Sequence, residues 1–161
     1  MEKQREDKVD SVRQENKRRV VALSGGFDPP HNNHYHYIEE ALKLGDTLLV
    51  ILARDDQLIK KKGKVWITYR ERQYMLDFLL KGKGKEYKIV PNIDRDLTSR
   101  ESLIEYQPIH IFAKGGDTWN IDNLPEKDIC EAFGTEIVFG VGGFRKDKGS
   151  SDIKEEEKEE E

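Results

Sequence analysis

Apolar residues in this chain fall into short runs that alternate with amphipathic stretches, and glycine or proline stands at most of the joins. Val20-Val21-Ala22-Leu23 is ended by Ser24-Gly25-Gly26, the pattern of a buried strand meeting a glycine turn. Over 34–44, Tyr37, Ile38, Ala41, Leu42 and Leu44 recur at helical spacing, and Gly45 supplies a stop. Residues 47–53 (TLLVILA) form a continuous apolar run of strand length, which suits a parallel strand covered on both faces. A second helix is predicted over 68–80, with Thr68 as N-cap and Glu71 at capping-box spacing. A strand at 87–90 stops at Pro91, a helix over 97–106 stops before Pro108, and a strand at 109–113 stops at Gly115-Gly116. A short helix over 125–133 opens with proline, and a fifth strand covers 136–139.

Strand and helix thus alternate about five times. The alternation predicts an α/β fold: a Rossmann-like open parallel five-stranded sheet with helices on both faces. No internal repeat interrupts it.

Charge changes the picture at the ends. The chain has 161 residues, and its 37% charged content exceeds its 35% hydrophobic content. Twelve of the first nineteen residues and thirteen of the last seventeen are charged, so the middle keeps an ordinary globular balance. The expected division is a charged N-terminal extension (1–19), one domain (20–153) and an acidic tail (154–161). The net charge of −4 is equalled by that tail alone, so its sign says little about partners. The near-neutral middle argues against a nucleic-acid coat. No apolar run approaches the roughly 18–20 residues that span a bilayer. The polar, mixed-charge start is unlike a secretory signal. Cys130 is the one cysteine, which removes internal disulfides and multi-thiolate zinc sites and makes a reducing cytoplasm the expected location.

In an open α/β sheet, ligands bind beyond the carboxyl ends of the strands. The first loop there is Ser24-Gly25-Gly26-Phe27-Asp28-Pro29-Pro30-His31-Asn32-Asn33-His34. Its glycines let a ligand approach the backbone, and the helix that follows offers free N–H groups suited to phosphate. His31 and His34 are spaced to bring one imidazole from the loop and one from the first helical turn. The loop lacks the Gly-Lys-Ser/Thr of a P-loop and the Gly-x-Gly-x-x-Gly of a dinucleotide site.

This loop resembles that of the cytidylyltransferase-like nucleotidyltransferases, whose signature is His-x-Gly-His. Later segments are similar in order. Leu44-Gly45-Asp46 resembles the family's Leu-Gly-Asp, Asp55-Asp56 its acidic position near the nucleotide, and Glu71-Arg72 its Glu-x-Arg. Lys114-Gly115-Gly116-Asp117 resembles the heptose-1-phosphate adenylyltransferases, and Trp119 glycerol-3-phosphate cytidylyltransferase. Gly149-Ser150-Ser151-x-Ile153 resembles the motif that opens the family's last helix, one residue short.

The resemblance implies transfer of a nucleoside monophosphate (CMP or AMP) from a nucleoside triphosphate to a phosphorylated small molecule, a sugar or polyol, with release of pyrophosphate. It implies catalytic roles for His31, His34, Lys61, Ser150 and Ser151. It implies nucleotide contacts from Gly25, Gly26, Phe27, Asp28, Asp55, Lys64, Arg72, Gly116, Asp117 and Arg145. It also implies Mg²⁺ travelling with the triphosphate, no metal held by the protein itself, and a homodimer. Flavin mononucleotide and nicotinate mononucleotide are alternative acceptors within the family.

One departure is Asn33, where the family has glycine. It motivates a second reading, a nucleotide-binding module with weak or lost turnover. Plainer roles are expected elsewhere. Lys60-Lys61-Lys62-Gly63-Lys64 reads as a solvated loop unless it reaches phosphate. Gly142-Gly143 reads as a hinge, Cys130 as a packing residue and His36 as a surface or packing residue. Trp66 and Trp119 suit core-capping or base-stacking equally.

Overall fold

A computed structural model describes residues 18–116 and 118–143. Five strands make one sheet: β1 (Val20–Gly25), β2 (Thr47–Leu52), β3 (Glu86–Pro91), β4 (Ile111–Gly115) and β5 (Glu136–Val141). Their order is β3-β2-β1-β4-β5 and every pairing is parallel. Five helices connect or flank them: α1 (Asn32–Leu42), α2 (Asp55–Lys62), α3 (Tyr69–Lys81), α4 (Arg100–Glu105) and α5 (Lys127–Phe133).

The apolar residues of the strands divide between the two faces. Val21, Leu23, Leu48, Val50 and Leu52 pack with Ile38 and Leu42 of α1 and with Leu76 and Leu80 of α3. Ala22, Leu49, Ile51 and Phe112 pack with Leu103 of α4 and Cys130 of α5. Alternating side chains thus bury both faces, as a parallel sheet under helices requires. The packing role expected of Cys130 holds: burial pushes its thiol up to about 11.

Thr68 caps α3 by accepting the Glu71 N–H at 3.4 Å. The Leu44-Gly45-Asp46 segment has a structural role here. Asp46 accepts the Arg19 N–H at 2.9 Å, and a Cβ on Gly45 would stand 2.5 Å from the Arg19 carbonyl.

One element departs from expectation. The lysine run at 60–62 is the last turn of α2, not a loop. Only Leu58 and Gln57 of α2 are buried, so its pattern is too polar to announce a helix. Its acidic start, basic last turn and left-handed Gly63 complement the helix ends.

Candidate active site

The sheet opens at the point where the strand order reverses. β1 and β4 pair only through Val21–Ile111 and Ala22–Phe112. Their carboxyl ends, 23–25 and 113–115, do not pair with each other and flank a crevice, where α/β sheets bind ligands. Tyr37, buried on α1, donates its hydroxyl to the Ala113 carbonyl beside this opening. The pairing of β4 with β5 shifts register between Ala113 and Gly115. Lys114 sits at that bulge, a device that re-aims a side chain.

Two cavities meet there. The first, about 270 Å³, is lined by Gly25, Phe27, His31, His34, Lys114 and Gly116, among others. The loop feeding it is tightly built. Phe27 takes a φ of +49°, a conformation that a bulky residue rarely adopts. Its ring is buried against His34, with centroids 4.7 Å apart.

His31 is the N-cap of α1 and His34 lies on its first turn. Their rings stack at 3.7 Å, and the His31 backbone N–H donates to His34 Nδ1 at 3.3 Å. A lone pair therefore occupies His34 Nδ1, and the neutral ring carries its proton on Nε2. Burial, then the charges of His31 and Lys62, push the His34 pKa down to about 3. At neutral pH His34 is a neutral hydrogen-bond donor at the positive end of a helix. Such a site suits a phosphate oxygen.

The second cavity, about 210 Å³, lies across Gly25 and Gly26 and also includes Lys114 and Trp119. Lys61, Gln57, Asn92, Ser99 and Glu126 complete its polar wall. A Cβ on Gly26 would meet the Leu58 side chain at 2.8 Å, so a larger residue there must displace Leu58 where α2 packs under the loop. Gln57 Nε2 donates to Asn92 Oδ1 at 3.0 Å, and Asn92 Nδ2 to Ser99 Oγ at 3.2 Å, which stiffens this wall. Burial pushes the Lys114 ammonium pKa down, against the carboxylate of Glu126 and together with the charge of Lys61.

Several residues expected at the nucleotide have other work. Arg72 is fully buried. It donates to the carbonyls of Ile67 (2.9 Å), Gly26 (2.8 Å) and Ala53 (2.8 Å), and to Asp55 Oδ1 (2.8 Å). Its donors are thus committed to the protein, and it ties α3 to the ends of β1 and β2. Asp55 faces Arg72 and the Tyr69 N–H instead of either cavity. Asp28 is buried, accepts the Trp66 and Ile67 N–H groups at 2.9 and 2.7 Å, and pairs with Lys62 at 3.0 Å. Burial raises its pKa, but the two amides and Lys62 hold the carboxyl below its usual range. Lys64 lies 4.0 Å over the Trp66 ring and lines neither cavity. Asp28, Asp55 and Arg72 therefore hold the loops in place, while Gly25, Gly26, Phe27, His31, His34, Lys61 and Gly116 line the cavities. Asp117, Arg145, Ser150 and Ser151 lie outside the described residues.

Residues 22–141 match the family model for cytidylyltransferase-like proteins. The chain belongs to the cytidylyltransferase-like family. Among its relatives is the bifunctional protein HldE of Methylococcus capsulatus, 32% identical over 127 residues, which cover 78% of this chain and 24% of that one. The FAD synthase of Methanolacinia petrolearia is 44% identical over 62 residues, covering 38% of this chain and 40% of that one. The chain thus spans about a quarter of the length of the HldE relatives. The crystal structure of a lipopolysaccharide core biosynthesis protein from Thermoplasma volcanium shares the fold. It has a TM-score of 0.58 and 24% identity, and covers 75% of this chain and 94% of that one.

Among the described residues no group of three or more histidine, cysteine or carboxylate side chains is placed to hold a metal. Mg²⁺ prefers oxygen ligands, usually carboxylates, phosphates and water. Of the described residues that line the two cavities, Glu126 is the one carboxylate. No helix among the described residues is long and apolar enough to cross a membrane.

Gln57, Asn92, Ser99 and Glu126 had no signal in the sequence, because they converge from three separate loops and helices. Lys114 was legible as the residue before the Gly-Gly turn, but only the bulge gives it a role.

Proposed function

We propose that this chain transfers a nucleoside monophosphate, AMP or CMP, from a nucleoside triphosphate to a phosphorylated sugar or polyol and releases pyrophosphate. The observation that carries this reading is the pair of cavities at one strand-order reversal, with Gly25 and Lys114 common to both. The triphosphate occupies the histidine cavity and the acceptor the other. A phosphate oxygen of the acceptor attacks the α-phosphorus. The bond from that phosphorus to the bridging oxygen breaks, and pyrophosphate leaves with the electron pair. No side-chain nucleophile is needed.

The protein contributes positioning and charge stabilisation. His31 and His34, at the start of α1, donate to oxygens around the reacting phosphorus. Lys114 lies between the two cavities and neutralises charge that builds as the two anions meet. Its partial burial strengthens that effect, because a poorly hydrated cation interacts more strongly with an anion. Mg²⁺, where it takes part, enters bound to the triphosphate. Ser150, Ser151, Arg145 and Asp117 remain candidate phosphate or nucleotide contacts on the strength of the family resemblance.

The test is pyrophosphate release with each of the four nucleoside triphosphates across a panel of phosphorylated acceptors. Turnover that vanishes in His31→Ala and His34→Ala supports the enzyme. Tight nucleotide binding without turnover for any acceptor supports the module reading, which rests on Asn33 lining the histidine cavity. Similarity to an FAD synthase keeps flavin mononucleotide in the acceptor panel.

A homodimer and a cytoplasmic location belong to the same reading. Tyr74 and Phe78 on α3 are 71% and 76% exposed beside the half-exposed Met75, an apolar face that suits a second copy. Sizing that gives a monomer at micromolar concentration removes the dimer.

A further inference from the structure

We propose that Glu126 determines acceptor specificity by taking a hydrogen bond from a hydroxyl of the acceptor, while the acceptor's phosphate lies between Lys61 and Lys114. This rests on the nucleotidyl-transfer reading and names the chemistry of its second cavity.

Glu126 stands just before α5 and is only 4% exposed. Its Oε1 accepts the Ser99 N–H at 2.8 Å. Its Oε2 is buried and has no hydrogen-bond partner among the described residues. A buried carboxylate oxygen without a donor is costly, so such groups call for an explanation. Glu126 lines the second cavity, and a donor entering that cavity supplies what the protein leaves out.

The same wall carries two cations. Lys61 is exposed on the last turn of α2, and Lys114 comes from the bulge of β4. The Lys114 ammonium feels both Lys61 and Glu126, so the three charges are neighbours. No hydrogen bond ties the Lys114 ammonium to the described residues; it lies 5.2 Å from the ring centres of Phe112 and Trp119. Two ammonium groups and one carboxylate oxygen ask for an anion and a hydrogen-bond donor in one small ligand. At about 210 Å³ the cavity is below the roughly 300–1,000 Å³ of sites for drug-sized ligands. A hydroxylated phosphate ester meets all three demands. An alkyl phosphate leaves the carboxylate facing carbon.

The experiment is a binding titration on the full chain with glucose 1-phosphate, glycerol 3-phosphate, n-propyl phosphate and inorganic phosphate. At least one hydroxylated ester is expected to bind about tenfold or more tighter than n-propyl phosphate, the scale of one hydrogen bond to a charged group. Glu126→Gln keeps a carbonyl for the Ser99 N–H and presents a donor where an acceptor stood. Because a hydroxyl can still accept from that amide, it is expected to weaken that preference to a few-fold, the loss of the charge on the bond, and leave inorganic phosphate affinity unchanged. Lys61→Met, on an exposed helix end, is expected to weaken all four about fivefold or more. Equal binding of hydroxylated and propyl esters overturns the proposal, as does a Glu126→Gln loss shared equally by inorganic phosphate. Pyrophosphate release on the same preparation separates the two ideas. Release without hydroxyl preference overturns the role of Glu126 alone. Hydroxyl preference without release under any nucleotide overturns the transfer reading alone.

Discussion

The His31 and His34 imidazoles stack 3.7 Å apart, and the His31 backbone N–H donates to His34 Nδ1 at 3.3 Å. One residue is thus the helix cap and the other its partner on the first turn. Each fixes the other before any ligand arrives. The arrangement places a neutral donor, His34, at the helix start beside the His31 ring.

Acid should therefore weaken the fold through His34. Its pKa is about 3 in the folded chain against an ordinary 6.5. As pH falls below 6.5 the unfolded chain takes up a proton that the folded chain refuses until about 3. Stability is then fully present above pH 6.5 and is lost progressively down to about pH 3. Denaturant unfolding at several pH values reads this directly. In His34→Gln the slope across that window should be shallower, and an unchanged slope would contradict the assignment.

Removing either ring should cost activity more than stability. One preorganised donor to a transferring phosphoryl group is worth about 10²–10³ in kcat, by analogy with oxyanion sites. His31→Ala and His34→Ala are expected to lose that much in kcat/KM for pyrophosphate release, while their far-ultraviolet circular dichroism matches the parent.

Arg72 should behave in the opposite way. Arg72→Met leaves the carbonyls of Gly26, Ala53 and Ile67 without their donor and Asp55 without its partner. A loss of about 3 kcal/mol or more in unfolding free energy is expected. Arg72→Lys should recover little, since one ammonium cannot span four acceptors. A variant of full stability with a raised nucleotide KM would restore the ligand role that the sequence resemblance implies.

Asn33→Gly tests the departure from the family signature. Asn33 lines the histidine cavity on the first turn of α1. Its removal should leave turnover unchanged or raise it. A large loss, read as kcat/KM for the nucleotide, would mean that the asparagine amide itself serves the ligand.

Gly142 is closely packed, contrary to the hinge its sequence suggested. It has a φ of +86°, and a Cβ there would stand 2.9 Å from the Tyr37 Cα. Gly142→Ala should destabilise the chain by about 1–3 kcal/mol, seen as a lower midpoint in thermal or denaturant unfolding. Gly143, also at positive φ, has open space around it and should be less sensitive to alanine.

Much of this protein was legible in its sequence because the signals are local. Alternating buried runs and amphipathic stretches determine a parallel sheet under helices, since only strands covered on both faces read as continuous apolar runs. The first loop, with its two glycines and two histidines, announces a phosphate site because helix starts and glycine turns are recognisable within ten residues. Tertiary structure alone decided which charged residues face a ligand. Arg72 and Lys114 look alike as cations beside motif residues. One is enclosed by four acceptors from three elements, and the other stands at a bulge between two cavities. Glu126 has no local mark at all. Its unpaired oxygen exists only because Ser99, 27 positions earlier in the chain, takes up the other one in the folded chain.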